Sequence, residues 1–578
     1  MGFLDNLFRT KPIEVIEAEE RKEELPRELG LRDLIMIGIG STVGSGVFAT
    51  TGDIISGAAG PAAFIGWVIA GCSCILSGFA YMEMSSLIPS SGSTYAYSYH
   101  ILGELPAVIG AWLLTLEYGM SGAGVARSWA TKVQQWLIEG SPSDKAQYDW
   151  LNLPHASFLA ALVMTVSVLI LLVGIKFGKV FINTVTGTKI VVVIFIIFAG
   201  FTAANLDNMT PFIPPRDEAK NRYGFQGMML GASQAFFGYV GFDEVCCLAA
   251  EAKDPRKIMP RAVVGTILGT MFLSAFASLA LSGMMKYDAD PEGGFYFSAG
   301  FQNVGYHWAS TIVHIGEVGT MPVVVLISFL AQPRLMYAMS VDGLLPEIFG
   351  RVDKNGNLFW CTVITGVFFT LFAILVPFDY LWNIVSFGIL VSFNMTNSAL
   401  ILARTREASP VFAYKLTGAM VGCSCISMFF FEKGYVEVAS GGVGFLVAAV
   451  LLLAAVIGLA TTIYLKCPQN VGPADCYRAP LVPFVPILAI TINWYLIAQL
   501  PAKDIGFGFC WILLAVLSYF AYGYKHSAGK TGWQEMLKNQ LASLNEVRPS
   551  ITSMITDQTN MVLPGYVPLE NKPTLILH

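Results

Sequence analysis

Apolar stretches of roughly 18–30 residues recur along the chain, each long enough to cross a hydrocarbon core as a helix. They fall at 32–56, 61–88, 104–136, 156–175, 179–204, 226–252, 260–285, 309–340, 358–376, 380–403, 411–431, 441–465, 480–500 and 506–524. The pattern predicts fourteen helices and an all-α polytopic membrane protein. An even count places both tails, 1–31 and 525–578, on one side. On that side the short loops hold thirteen Lys and Arg residues, against seven on the other, so the tails are expected in the cytoplasm.

Composition supports the same class. Of 578 residues, 54% are hydrophobic and 13% charged, where soluble domains carry about a quarter charged residues. A net charge of −5 does not suggest nucleic acid as a partner. Ten cysteines are scattered without a CxxC pair, which reads as buried thiols rather than a disulfide framework or a zinc site. No nucleophile–base set or metal-ligand cluster appears in the loops, so neither an enzyme nor a cofactor is expected. The first 31 residues lack the apolar core of a cleaved signal peptide and read as a charged tail. Asn208 opens the sequon "NMT" in the loop after the fifth stretch, on the side expected to face outward.

Two stretches interrupt the apolar pattern. "IGIGSTVGSGVFATTG" at 37–52 places five glycines in the first predicted helix. "GASQAFFGYVGFDEVCCLAAE" at 231–251 places Gly238 and Gly241 in the sixth. Matching interruptions five helices apart point to a carrier built from inverted repeats, here 32–204 and 226–403, with accessory helices over 411–524. Non-helical backbone at that depth survives only where it is buried in protein or lines a wet cavity. A gap over Thr42, Val43, Gly44, Ser45 and Gly46 would free N–H groups for a carboxylate, and carbonyls facing them would suit an ammonium. Together they would recognise a free α-amino acid. The alternative is that these glycines only permit close helix packing. Beside the second interruption, Phe236, Phe237 and Tyr239 are candidates for an aromatic lid.

Ionisable residues within spans add to this, because each is costly there. Lys189 lies ten residues into the fifth stretch, about 15 Å deep at 1.5 Å per residue, and should point into the bundle, where a buried ammonium can exchange a proton. Glu117 is near mid-depth in the third stretch. It would meet either a cationic cargo or an internal Lys or Arg. Glu83 ends the second stretch and reads as an inner-gate or loop-anchoring group. Glu317 reads as interfacial.

Several motifs then carry a resemblance: "GIGSTVGSGVF", "GSTYAYSYHILGE", "GVARSW", "GYVGFDE" with "EAKDPRKIMPRAVVG", "QPRLMYAMSVDGLLP" and "YRAPLVPFVPILAITINWYL". In this order, over about 29–526, they resemble the cationic amino acid transporter branch of the amino acid–polyamine–organocation superfamily, which has the LeuT-type fold. The resemblance implies that the cargo's carboxylate meets the backbone around Val43–Gly46, its amino group meets carbonyls at both breaks, and Phe237 gates the site. It also implies that Lys189 stands where sodium binds in LeuT-type carriers, with Ser328 as a candidate partner. Animal cationic carriers have a neutral residue at that place, so proton coupling is the expectation here. Glu83 matches a glutamate common in the family and Glu117 matches some members. Asn394 and Asn397 depart from it.

The reading is a secondary amino acid transporter for Arg or Lys, working by alternating access and coupled to protons. A neutral amino acid or polyamine carrier of the same fold is the first alternative, and an amino-acid-sensing receptor the second. The plasma membrane is the first expected location, a vacuolar or lysosomal membrane the second.

Overall fold

A computed structural model describes residues 6–16, 28–90, 92–140, 145–153, 156–173, 179–217, 222–289, 296–353, 357–405, 410–437, 442–473, 476–531 and 533. Each of the fourteen predicted stretches is helical over most of its length. Helix α1 begins as Leu31–Thr42, widens to a π turn over Val43–Val47 and continues as Phe48–Ile54. It is followed by α2 (Ala63–Leu87), and by α3, which runs as Glu104–Thr115, a π turn at Leu116–Met120 and Ser121–Gly140. Then come α4 (Phe158–Leu172), α5 (Lys179–Ala203) and α6, in two pieces at Gly224–Ala235 and Phe242–Cys247. Beyond these lie α7 (Pro255–Met284), α8 (His307–Val341), α9 (Phe359–Leu375), α10 (Phe378–Thr405), α11 (Pro410–Phe429), α12 (Val443–Lys466), α13 (Phe484–Gln499) and α14 (Ala502–Ser518). Among the described residues, eight helical segments are long and apolar enough to cross a membrane by themselves.

Residues 1–529 form one compact unit and 530–578 a second. Only 530, 531 and 533 of the second are described, so most of the expected tail, with the tyrosine-based sorting pattern that "YVPL" at 566–569 matches, lies outside the described residues.

Burial separates core helices from peripheral ones. The most apolar window of α10 is 89% buried, whereas that of α12 is 17% buried and turns Val447, Val450, Leu451 and Ile457 outward, as a helix bathed in lipid would. Inside, α7 packs along α2, α5 and α1, α8 along α3, and α10 against α13. The π turn of α1 packs against the interruption of α6, so these two elements meet at the centre of the unit.

Polar residues within the helices are stitched together, as buried polar groups must be. Asn394, which the sequence leaves without a role, accepts a hydrogen bond from Asn493 Nδ2 at 3.0 Å. Asn493 also donates to Ser77 at 3.2 Å and accepts from Ser73 at 3.1 Å, so α2, α10 and α13 share one network. Asn397 only returns its amide to the carbonyl of Phe393, one turn back in α10.

Candidate functional site

The interruption in α6 is a true break. After Ala235 the chain tightens into a 3-10 turn, Phe236–Tyr239, and Val240 leaves the helix at ψ 120°. Gly241 then takes φ +129°, a conformation that costs an L-residue dearly, before the helix restarts at Phe242. Tyr239 donates its hydroxyl to the carbonyl of Trp67 at 2.7 Å and pins the turn to α2.

The gap expected in α1 is absent. Thr42 (φ −69°, ψ −46°), Val43 (φ −67°, ψ −29°) and Val47 (φ −58°, ψ −52°) are all helical, so the segment is a widened helix rather than two half-helices. Close packing accounts for its small residues. A Cβ on Gly46 would lie 2.2 Å from the Cα of Gly238, so α1 and α6 cross here backbone to backbone. A Cβ on Gly44 would lie 2.1 Å from a Val324 methyl on α8. Thr42 is turned to structural use: its hydroxyl donates back to Gly38 O at 3.0 Å and lies 2.7 Å from the hydroxyl of Thr270 on α7. The backbone of Ser45 is part of the π turn, and its side chain lies outside the described features.

Around this crossing sit acidic side chains from two helices. Glu117, on the π turn of α3, is fully buried, and its carboxyl faces that of Asp243 in the restarted half of α6. Asp243 is equally buried and lies beside the backbone N–H groups at that half-helix's start. Next to it, Glu244 accepts a hydrogen bond from the Ser41 hydroxyl of α1. Among the described residues, no Lys or Arg forms an ion pair with any of the three, and the side-chain partner of Glu117 is the Asp243 carboxyl. Of the two alternatives for Glu117, an internal Lys or Arg partner is not found among the described residues. Two carboxyls so placed in a dry site are tolerable only with a shared proton or a cation between them. Asp243 and Glu244 are what the sequence reading missed. Their signal was the acid pair directly after the break in "GYVGFDE".

Lys189 is as deep as expected. It is 1% exposed and donates from Nζ to the carbonyl of Gly40 on α1 at 2.8 Å, its one hydrogen bond among the described residues. Ser328, on α8, is buried but does not accept from it.

Phe236 and Phe237 are fully buried. Phe237 packs edge-on against Phe378 of α10 with ring centres 5.8 Å apart, and Phe236 against Phe393 at 6.2 Å. Glu83 lies away from this centre. It takes a bidentate pair from Arg404 at the end of α10, at 2.7 and 2.6 Å, and accepts the Ala479 N–H at 2.6 Å. It thus ties the ends of α2 and α10 to the chain before α13. Glu317 corrects its expectation: it is fully buried, 3.0 Å from Lys132 of α3, because the third and eighth helices pack face to face. Asn208 sits in a short 3-10 turn, Leu206–Met209, and its amide donates to Gly283 O at 2.8 Å.

With this geometry in hand, comparison with known proteins is decisive at the level of family. Residues 29–457 match the family described as "Amino acid permease", and 477–527 match "C-terminus of AA_permease". The chain belongs to the amino acid permease family. It is therefore an all-α polytopic membrane transporter rather than an enzyme. Over 91% of its length it is 30% identical to the methylthioribose transporter of Bacillus subtilis, covering 99% of that protein. It is 29% identical to cationic amino acid transporter 3, mitochondrial, of Arabidopsis thaliana, over 91% of this chain and 96% of that one. It is 32% identical to the branched-chain amino acid permease BcaP of Bacillus subtilis, over 72% of this chain and 89% of the relative. The cargo named differs among the three.

Proposed function

We propose that this permease carries amino acids with a cationic side chain, Lys or Arg, by alternating access and in symport with protons. The observation that carries the cationic preference is the facing pair Glu117 and Asp243, buried without a cation beside the break in α6. The cargo's side-chain ammonium or guanidinium supplies the missing positive charge. Its α-amino and carboxyl groups are read by backbone groups at the α6 break (Gly238, Gly241) and the α1 π turn (Val43–Gly46), with Phe236 and Phe237 closing over them. Residues 32–204 and 226–403 act as inverted repeats, and both tails face the cytoplasm, with the plasma membrane as the first expected location.

Lys189 is the proton-coupling residue in this reading. Its ammonium is held by one carbonyl of the α1 helix, so losing the proton releases that contact and changes how α1 is tethered to α5. Ser328 and the Glu83 clamp support the motion as a neighbour on α8 and a tail-side gate.

A neutral cargo is the second reading. It is favoured by the relatives named for methylthioribose and branched-chain amino acids, and by the option that Glu117 and Asp243 share a proton instead of binding a cation. Uptake of labelled arginine, leucine and putrescine into proteoliposomes, with and without a pH gradient, separates the two. The cationic reading expects arginine to accumulate on the gradient and leucine to compete poorly. Leucine uptake that arginine does not inhibit overturns it. Glu117→Gln should lower the preference for lysine over leucine about ten- to hundredfold, equivalent to roughly 1.4–2.8 kcal/mol.

A further inference from the structure

On the face opposite the Glu83 clamp, a cavity of about 370 Å³ opens between α1, α3 and α10. That is within the range of small-molecule sites, roughly 300–1,000 Å³. Asp53, Arg127, Thr131, Tyr296, Phe378 and Asp379 are among its walls. Asp53 is half-buried on the second part of α1, and Asp379 is exposed at the rim as the second residue of α10. Neither forms an ion pair or hydrogen bond among the described residues.

None of the cations nearby forms an ion pair with either carboxylate among the described residues. Lys132, whose charge reaches Asp53, is held by Glu317 at 3.0 Å and lies 4.6 Å from the centre of the Tyr296 ring. Arg127 donates to the carbonyl oxygen of Leu153 at 3.2 Å and to Asn152 Oδ1 at 3.4 Å. Lys503, which Asp379 feels, lies over the Tyr380 ring at 4.4 Å. Two carboxylates therefore face a recessed, half-enclosed space where field lines concentrate. One wall of that space is Phe378, the ring that packs edge-on against Phe237. One aromatic partition thus separates this cavity from the central site.

We infer that this cavity is a second binding site for a free amino acid with a cationic side chain. It holds that molecule before the Phe378–Phe237 partition opens. The two ammonium groups of lysine meet Asp53 and Asp379, and its carboxylate meets the guanidinium of Arg127. The inference rests on the proposed cationic cargo but adds a site that reading does not need.

The test is equilibrium binding of labelled lysine to the full-length chain in lipid nanodiscs, paired with uptake kinetics. Two lysines per chain are expected, falling to one in Asp379→Asn and, independently, to one in Glu117→Gln. In uptake, Asp379→Asn and Asp379→Lys should raise the KM for lysine about tenfold, the scale of electrostatic focusing in a cleft, with a smaller change in kcat. Because Asp379 is exposed, neither substitution disturbs the packed core. A lysine stoichiometry and KM unmoved by both variants overturn the outer site, as does a loss of leucine uptake equal to that of lysine. Failure of the central reading looks different: Glu117→Gln then leaves lysine binding and preference intact.

Discussion

Helices α1 and α6 occupy corresponding places in the order of the chain and look alike in sequence, yet only α6 breaks. In α1, glycine lets neighbours come close: Gly46 meets Gly238, and Gly44 meets Val324. Its backbone stays helical and merely widens by a π turn, a form often found at functional positions. In α6 one glycine has a different task, because Gly241 at φ +129° holds a conformation no helix contains. Glycine content thus marks both a tight crossing and a helix break, and the residues that follow distinguish them. After Gly241 come Phe242, Asp243 and Glu244, with the two acids in the first turn of a restarted helix, where negative charge is favoured. After Gly46 come Val47 and Phe48, which simply continue α1.

Substitutions can break this comparison. The largest effect is expected from Gly241→Val. A β-branched residue is strained at that φ, and its Cβ would lie 2.6 Å from the Cβ of Ser41, so strain and overpacking together cost about 2–6 kcal/mol. Thermal unfolding in detergent should shift down and uptake should vanish. Lys189→Ala should next abolish accumulation: the ratio of internal to external lysine under an imposed pH gradient falls to about one, while exchange across preloaded vesicles persists. A mutant that still concentrates lysine shows that coupling lies elsewhere. Gly46→Ala is expected to cost about 1–3 kcal/mol, because the methyl meets backbone rather than a movable side chain. If unfolding is unchanged, the crossing is looser than the geometry says. Thr42→Val, which removes the hydroxyl contact to Thr270, should cost about 1 kcal/mol and leave the lysine-over-leucine preference unchanged.

The helices were legible because a span must be apolar over about twenty residues and few other segments are. The break at Gly241 and the depth of Lys189 were legible for the same reason, since both depart from what lipid or packed helices tolerate. What escaped the sequence depends on partners far along the chain. Glu317 reads as interfacial until Lys132, on another helix, is seen beside it. Asn394 is unexplained until Asn493 reaches it from α13. The acids after Gly241 look like ordinary residues of a helix start, and only the approach of Glu117 from α3 gathers them into one acidic cluster. The absence of a gap in α1 was illegible because the neighbours filling the space over its glycines belong to α5, α6, α7 and α8.

The crossing of Gly46 and Gly238 also bears on how the molecule moves. Packed helices usually slide by small adjustments of interlocking side chains, which makes the contact a ratchet with discrete settings. Where backbone rests on backbone there are no rotamers to reset, so the contact behaves as a fulcrum. Two hydrogen bonds flank it, from Tyr239 to Trp67 and from Ser41 to Glu244. The smallest side chains in the molecule are then its mechanical axis, and any atom added there acts as a brake on every cycle, whatever the cargo.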